Sequence, residues 1–232
     1  MEREVLRGIL LGLDRDRACG RDPGVRLLSA CVDVLGINGA GITLMVGDEN
    51  RGSLGGSDET IRIVEELQFS LGEGPCVDTH RSGRPVLEPR LADPSMLRWP
   101  QFSAPAIEAG VQAIFGFPLV VGTTGIGALD VYSDQPGELR PTQYRDALVM
   151  ANIVTHAVLE IQAEADPGSL SPQLDDAVIL RTVVHQATGM LSVQLDVTIP
   201  DALACLRAYA YAESRPIDAV AKAVVERRLR ID

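Results

Sequence analysis

The stretch that most constrains this chain is Glu164-Ala-Asp-Pro167-Gly168-Ser-Leu-Ser-Pro172. Proline has no amide hydrogen to continue a helix and glycine does not hold one, so no continuous helix crosses these nine residues. The long apolar-periodic segment before it, residues 141–163, has to stop, and the residues beyond it have to fold as a separate unit. We read residues 163–173 as a hinge.

Beyond the hinge, residues 174–232 read as three helices. Ala177, Leu180, Val184, Ala187 and Leu191 recur alternately three and four residues apart, the spacing of a coiled-coil seam. Ile179, Val183 and Met190 add a second apolar stripe. The period fails by Asp196. Thr198 then caps a second helix, with Asp201 three residues on in the place of a capping-box acid, and Leu203, Leu206 and Ala210 as its buried face. Ser214-Arg215-Pro216 breaks that helix, and Ile217, Val220, Ala221, Val224 and Val225 carry the third. A unit this small has little core of its own, so a homodimer is expected.

Val184-His185-Gln186-Ala187-Thr188-Gly189-Met190-Leu191, followed by Ala202-Leu203, Leu206-Arg207, Ala210, Arg215-Pro216 and Val220-Ala221, resembles the ANTAR domain. That resemblance implies a three-helix RNA-binding module of bacterial transcription antiterminators. In that family a dimer holds paired stem-loops of nascent mRNA and keeps a terminator hairpin from forming. One position departs: where the family usually reads Ala-Lys-Gly, this chain has Ala187-Thr188-Gly189, which removes a cation from the first helix.

Before the hinge the pattern mixes helices and strands. Residues 2–13 form an amphipathic helix that either covers the next domain or pairs with a partner. A helix over 25–35, a strand over 40–46, a turn over 47–52 and a second strand near 53–57 come next. Asp58 caps a helix through Ile61, Val64 and Leu67. A glycine-proline turn, Leu71 to Cys76, launches a short helix, and Pro85 marks an edge strand. Residues 99–109 are expected as a helix, 113–121 and 127–132 as strands, and 141–163 as a closing helix. This is an α+β order around a central antiparallel sheet flanked by helices. Leu71-Gly-Glu-Gly-Pro-Cys76, Arg81 to Val86, Arg98-Trp99-Pro100-Gln101-Phe102 and Gly127 to Tyr132 resemble a GAF domain, of the type fused to ANTAR in actinobacteria. The domains so delimited are an N-terminal helix at 1–21, a GAF sensor at 22–162, the hinge, and an all-α three-helix ANTAR domain at 174–232. The resemblance implies a small-molecule sensor and names no ligand, so the cofactor is unknown.

Charge separates the two units. The net charge of −11 argues against non-specific nucleic-acid binding by the whole molecule, and nearly all the excess acid lies before residue 174. Between residues 207 and 230, Arg207, Arg215, Lys222, Arg227, Arg228 and Arg230 face only Glu213, Asp218 and Glu226. There, Arg207 and Tyr211 are spaced i, i+4 beside Ala204 and Ala208, so a guanidinium and a ring adjoin an open surface suited to an unstacked base and its phosphate. Arg215 and Lys222 extend that surface, and Thr188 is placed with them through the resemblance. The other reading of these side chains is a solvated face with Tyr211 stacked on Arg207. DNA is disfavoured, because the three helices lack a compact helix-turn-helix pair with a basic recognition helix.

In the sensor, Cys76 at a helix start is either a thiol activated by the helix dipole or a buried packing residue. Trp99 and Phe102 either line a pocket or anchor their helix. No apolar run is long enough to span a membrane and no signal peptide is read, so the protein is placed in the cytoplasm. Four scattered cysteines show no metal spacing. Enzymatic readings fail on inventory. Only three histidines exist, and Lys222 is the sole lysine, which excludes a phosphate loop and a phospho-acceptor receiver. The chain is therefore expected to be a non-enzymatic, signal-responsive antitermination regulator; the alternative is a sensor whose degenerate tail mediates protein–protein association only.

Overall fold

The computed structural model describes residues 23–46, 49–93, 98–163 and 172–231. The helix expected over residues 2–13, Cys19 and hinge residues 164–171 lie outside them, as do the side chains of Ala177, Ile179 and Leu180.

The first unit runs α1 (Pro23–Leu35), β1 (Gly39–Val46), β2 (Glu49–Gly56), α2 (Glu59–Leu71), α3 (Pro75–Ser82), β3 (Val86–Glu88), α4 (Ser103–Glu108), β4 (Ala113–Val121), β5 (Thr124–Ser133) and α5 (Pro141–Ala163). The five strands form one antiparallel sheet in the order β2-β1-β5-β4-β3. β3, which follows Pro85, is at one edge. β4 and β5 are joined by a two-residue turn in which Gly122 has φ +62°, so pairing runs out to Val121 and Thr124, three residues beyond the expected start of β5. β2 likewise begins at Glu49, inside the expected turn, and two bulges in β1–β2 absorb the extra residues.

Asp58 caps α2 as expected, its side chain accepting from the Ile61 amide, and Gly72 closes that helix in the left-handed conformation. α4 is the clearest departure. Residues 99–102 form turns rather than a first helical turn, because the Glu73 carboxylate takes the amides of Gln101 and Phe102 at 2.6 and 2.8 Å.

α1 and α5 cover one face of the sheet with an apolar core that includes Leu28, Phe115, Phe117, Leu129, Val131 and Val154. The buried Thr155 hydroxyl on α5 turns back to the Ala151 carbonyl of its own helix. α2, α3 and α4 cover the other face, around Ile61, Val64, Trp99, Phe102, Ile114 and Tyr132.

The second unit is α6 (Pro172–Leu195), α7 (Ile199–Ala212) and α8 (Ile217–Val225). Asp196 at φ +55° ends α6, and the Thr198 hydroxyl caps α7 by accepting from the Asp201 amide. Ser214 at φ +51° and Pro216 turn the chain into α8. The described part of the expected seam, Val184, Ala187 and Leu191, is internal: it packs on Leu203, Leu206, Val220 and Val224. α6 also lies against edge strand β2.

Candidate functional site

The second sheet face carries polar groups that the first lacks. Asp130 on β5 is fully buried and has a glycine on each side in register, Gly41 on β1 and Gly116 on β4. These glycines make room. A Cβ at position 41 would stand 2.6 Å from Glu65 Oε1, and one at 116 would stand 2.4 Å from Thr79 Oγ1 and 3.3 Å from Asp130 Oδ1. Glu65 is itself buried and accepts from Ser53 and Thr43, which ties α2 to β1 and β2.

Gln68 is the junction of this cluster. Its Nε2 donates to Asp130 Oδ2 at 2.8 Å, and its Oε1 accepts from the Cys76 amide at 2.7 Å. One fully buried amide thus joins β5 to the start of α3. Burial pushes the Asp130 carboxyl up to about 7, against hydrogen bonds from Gln68 and the Cys76 thiol that hold it down. Asp130 Oδ1 has no N–H or O–H donor, and Thr79 Oγ1, buried over the same glycine, has no hydrogen-bond partner. Such groups are costly to keep, and they make this face the chemically distinctive part of the unit.

Cys76, expected either as an activated thiol or as packing, is fully buried among Met45, Val77 and Ala128. Trp99 and Phe102 are both in the core, edge to face at 5.9 Å, in the anchoring arrangement. The Trp99 indole N–H donates to Asp78 Oδ2 at 3.0 Å, and Arg98 binds the same oxygen at 2.9 Å. This pair and the Glu73 clamp pin residues 98–102 over α3. Burial pushes the Cys31 thiol up to about 12, so it stays protonated and inert. Among the described residues no three His, Cys, Asp or Glu side chains gather as a metal site.

The helical unit meets the sheet unit at α2. Arg207 Nε and Nη2 donate to the Phe69 carbonyl at 3.1 and 2.8 Å, and the guanidinium stands 6.0 Å from the Phe69 ring. The Phe69 side chain, 3 % exposed, belongs to the core of the three helices. Burial, with Arg81 nearby, pulls Arg207 down to about 10, so it remains charged at neutral pH.

The GAF domain family matches residues 25–162, and the ANTAR domain matches residues 173–225. The chain belongs to the GAF domain family and carries an ANTAR domain. No curated protein matches it. Among solved structures it is similar to the GAF domain of an Acinetobacter phosphoenolpyruvate-protein phosphotransferase, at 12 % identity and a TM-score of 0.51, over 72 % of this chain and 97 % of that one. The GAF domain of a Coxiella burnetii phosphoenolpyruvate-protein phosphotransferase matches at 12 % identity and TM-score 0.51, over 70 % and 95 %. A type II free methionine-R-sulfoxide reductase from Thermoplasma acidophilum matches at 15 % identity and TM-score 0.42, over 58 % and 91 %. At these identities the likeness to the two phosphotransferase GAF domains is one of fold. GAF and ANTAR are regulatory modules, and together they make this chain a regulator of the antitermination family. Among the described residues no single helix is long and apolar enough to cross a membrane.

On the ANTAR unit, the residues expected to face RNA part company. Tyr211, Arg215 and Lys222 are exposed, Tyr211 by 59 %. Arg207 is instead engaged by the GAF unit. Thr188 is buried, and its hydroxyl donates to the Val184 carbonyl at 2.7 Å, so here it offers RNA nothing. A lysine at that position has to carry its stem through the packing and its ammonium out to water. An open groove of about 630 Å3, lined by Gln186, Gly189, Met190, Val193 and Val225, runs along the outer side of α6.

Proposed function

We propose that this protein is a cytoplasmic, signal-responsive antitermination regulator whose GAF unit senses a small molecule and whose ANTAR unit binds paired RNA hairpins. The observation that carries the reading is the outer face of α7. Ala204, Ala208 and Tyr211 are exposed at i, i+4 and i+7, a small-residue floor with one ring at its end, and the exposed cations Arg215 and Lys222 follow on the next turn and helix. A ring over a flat floor accepts an unstacked base of any kind, and the cations take backbone phosphate. We put the sensing site at the Asp130–Gln68–Thr79 cluster, where Asp130 Oδ1 and Thr79 Oγ1 are buried without an N–H or O–H partner.

The homodimer is assigned to the α6 groove. Its lining side chains are uncharged, so two copies can meet there without setting like charges against each other in the groove itself. Gly189 has open space beside it, which admits a partner helix closely. The same groove is the one observation favouring a tail that serves protein association only.

Binding of a synthetic RNA with two adjacent short hairpins, titrated against salt, separates the readings. Tyr211→Ala is expected to cost about 1–3 kcal/mol and leave the log–log salt slope unchanged, because stacking is not ionic. Lys222→Ala is expected to flatten the slope by about 0.7–0.9 for each phosphate it no longer neutralises. A dimer that binds no such RNA at low salt makes association the function.

A further inference from the structure

The contact between the two units uses one of the residues that the RNA reading needs. Phe69 lies in the last turn of α2, where carbonyls have no intrahelical amide to bind, and the Gly72 amide takes the Gln68 carbonyl instead. Arg207 supplies two N–H groups to the Phe69 carbonyl and places its positive charge at the negative end of the helix dipole. It is a helix cap delivered by the other domain.

Three further features show how closely the fit is made. The Phe69 ring completes the ANTAR core, in contact with a set that includes Leu206 and Leu203. Gly72 leaves the space that the guanidinium fills: a Cβ there would stand 2.6 Å from Arg207 Nη1. Gln68, the neighbour of Phe69 in sequence, points instead into the GAF unit, where it is fixed to Asp130 and to the Cys76 amide. A single helical turn therefore touches both the buried polar cluster and the ANTAR unit.

We propose that the last turn of α2 is a latch: it holds Arg207 so that the docked ANTAR unit cannot offer that guanidinium to RNA and binds RNA weakly, and the GAF unit and RNA compete for it. The proposal rests on the reading of Arg207 as an RNA contact. Bidentate recognition of a phosphate needs the guanidinium fork free, and here Nε and Nη2 are spent on the Phe69 carbonyl while Nη1 is packed over Gly72. Whatever loosens Gln68 inside the GAF unit also frees the turn that carries Phe69, which gives the sensor a direct route to the RNA surface.

The test replaces Gly72 rather than Phe69, because Phe69 is core to the ANTAR unit. In the full chain, Gly72→Asn keeps a residue that tolerates the left-handed conformation and sets its side chain against Arg207. Gly83→Asn is the control. Gly83 closes α3 in the same conformation, at φ +62°, with nothing within 4 Å of its would-be Cβ. Solution X-ray scattering and affinity for the two-hairpin RNA are measured on both variants and on the wild type. Gly72→Asn is expected to enlarge the radius of gyration and tighten RNA binding about tenfold or more over Gly83→Asn. A tenfold gain means the wild type is competent no more than about a tenth of the time. Equal scattering and equal affinity for the two variants overturn the latch while leaving the RNA reading in place. Expansion of Gly72→Asn with unchanged RNA affinity overturns the competition. No RNA binding by any of the three chains overturns both the competition and the RNA reading, and the scattering alone then reports whether the contact opens.

Discussion

The two faces of the GAF sheet are built to different rules. Under α1 and α5 the core is apolar, and the side chains of β4 and β5 interdigitate with the apolar sides of those two helices. Under α2 and α3 the sheet turns inward Asp130 of β5, the bare glycine backbone of β1 and β4, and Thr43 of β1, and α2 answers with Glu65 and Gln68. A sheet that needed only stability would be apolar on both sides. The contrast teaches that one face carries the fold and the other spends some of its stability on groups able to change state.

That contrast can be broken or sharpened by substitution. The largest effect is expected on the apolar face. Phe117 is fully buried and packs at 5.9 Å on Tyr144, and Phe117→Ala should cost about 3–5 kcal/mol in urea denaturation with no change in pH dependence. Asp130→Asn comes next. The Asp130 carboxyl binds its proton more tightly in the folded chain, at about 7, than in the unfolded chain, at about 4. Its contribution is therefore complete below about pH 4 and is lost as pH rises through about 7, a fall on the order of a few kcal/mol. Melting temperatures from pH 4 to 8 should converge at the acid end and favour Asp130→Asn at the basic end. Parallel curves for variant and wild type would show that this face does not titrate. The smallest effect is expected at Thr79. Its hydroxyl is buried without a partner, so Thr79→Val should leave stability within about 1 kcal/mol of the wild type or raise it slightly. A loss above about 2 kcal/mol would mean that the hydroxyl is held after all, and the two faces would then differ less than described.

Much of the scaffold was legible in the chain itself. The caps at Asp58 and Thr198, the edge position of β3 and the long closing helix all rest on local rules, since a side chain three residues away or a missing amide decides them. The polar face was not legible. In the strand around Leu129-Asp130-Val131, an alternating pattern reads Asp130 as the solvent side, and only helices on both faces make that side an interior. The start of α4 failed for a similar reason: the Glu73 carboxylate that takes the amides of Gln101 and Phe102 lies 28 and 29 residues away. Thr188 was read from a resemblance that marks the usual residue at its position and says nothing of which way the helix turns it. Arg207 had the right chemistry for phosphate and a partner that no local window contains.

That partner has a consequence for the order of assembly. Phe69 and Arg207 are 138 residues apart in the chain, so α2 emerges during synthesis long before α7. Domains fold as units, earlier ones first, and the GAF sheet has all its strands and covering helices once α5 is made. The ring that completes the ANTAR core is thus already in place on a finished surface when the last three helices arrive. On the latch proposal, each newly made molecule would reach the docked arrangement first, and a freed ANTAR unit would be a state it is released into.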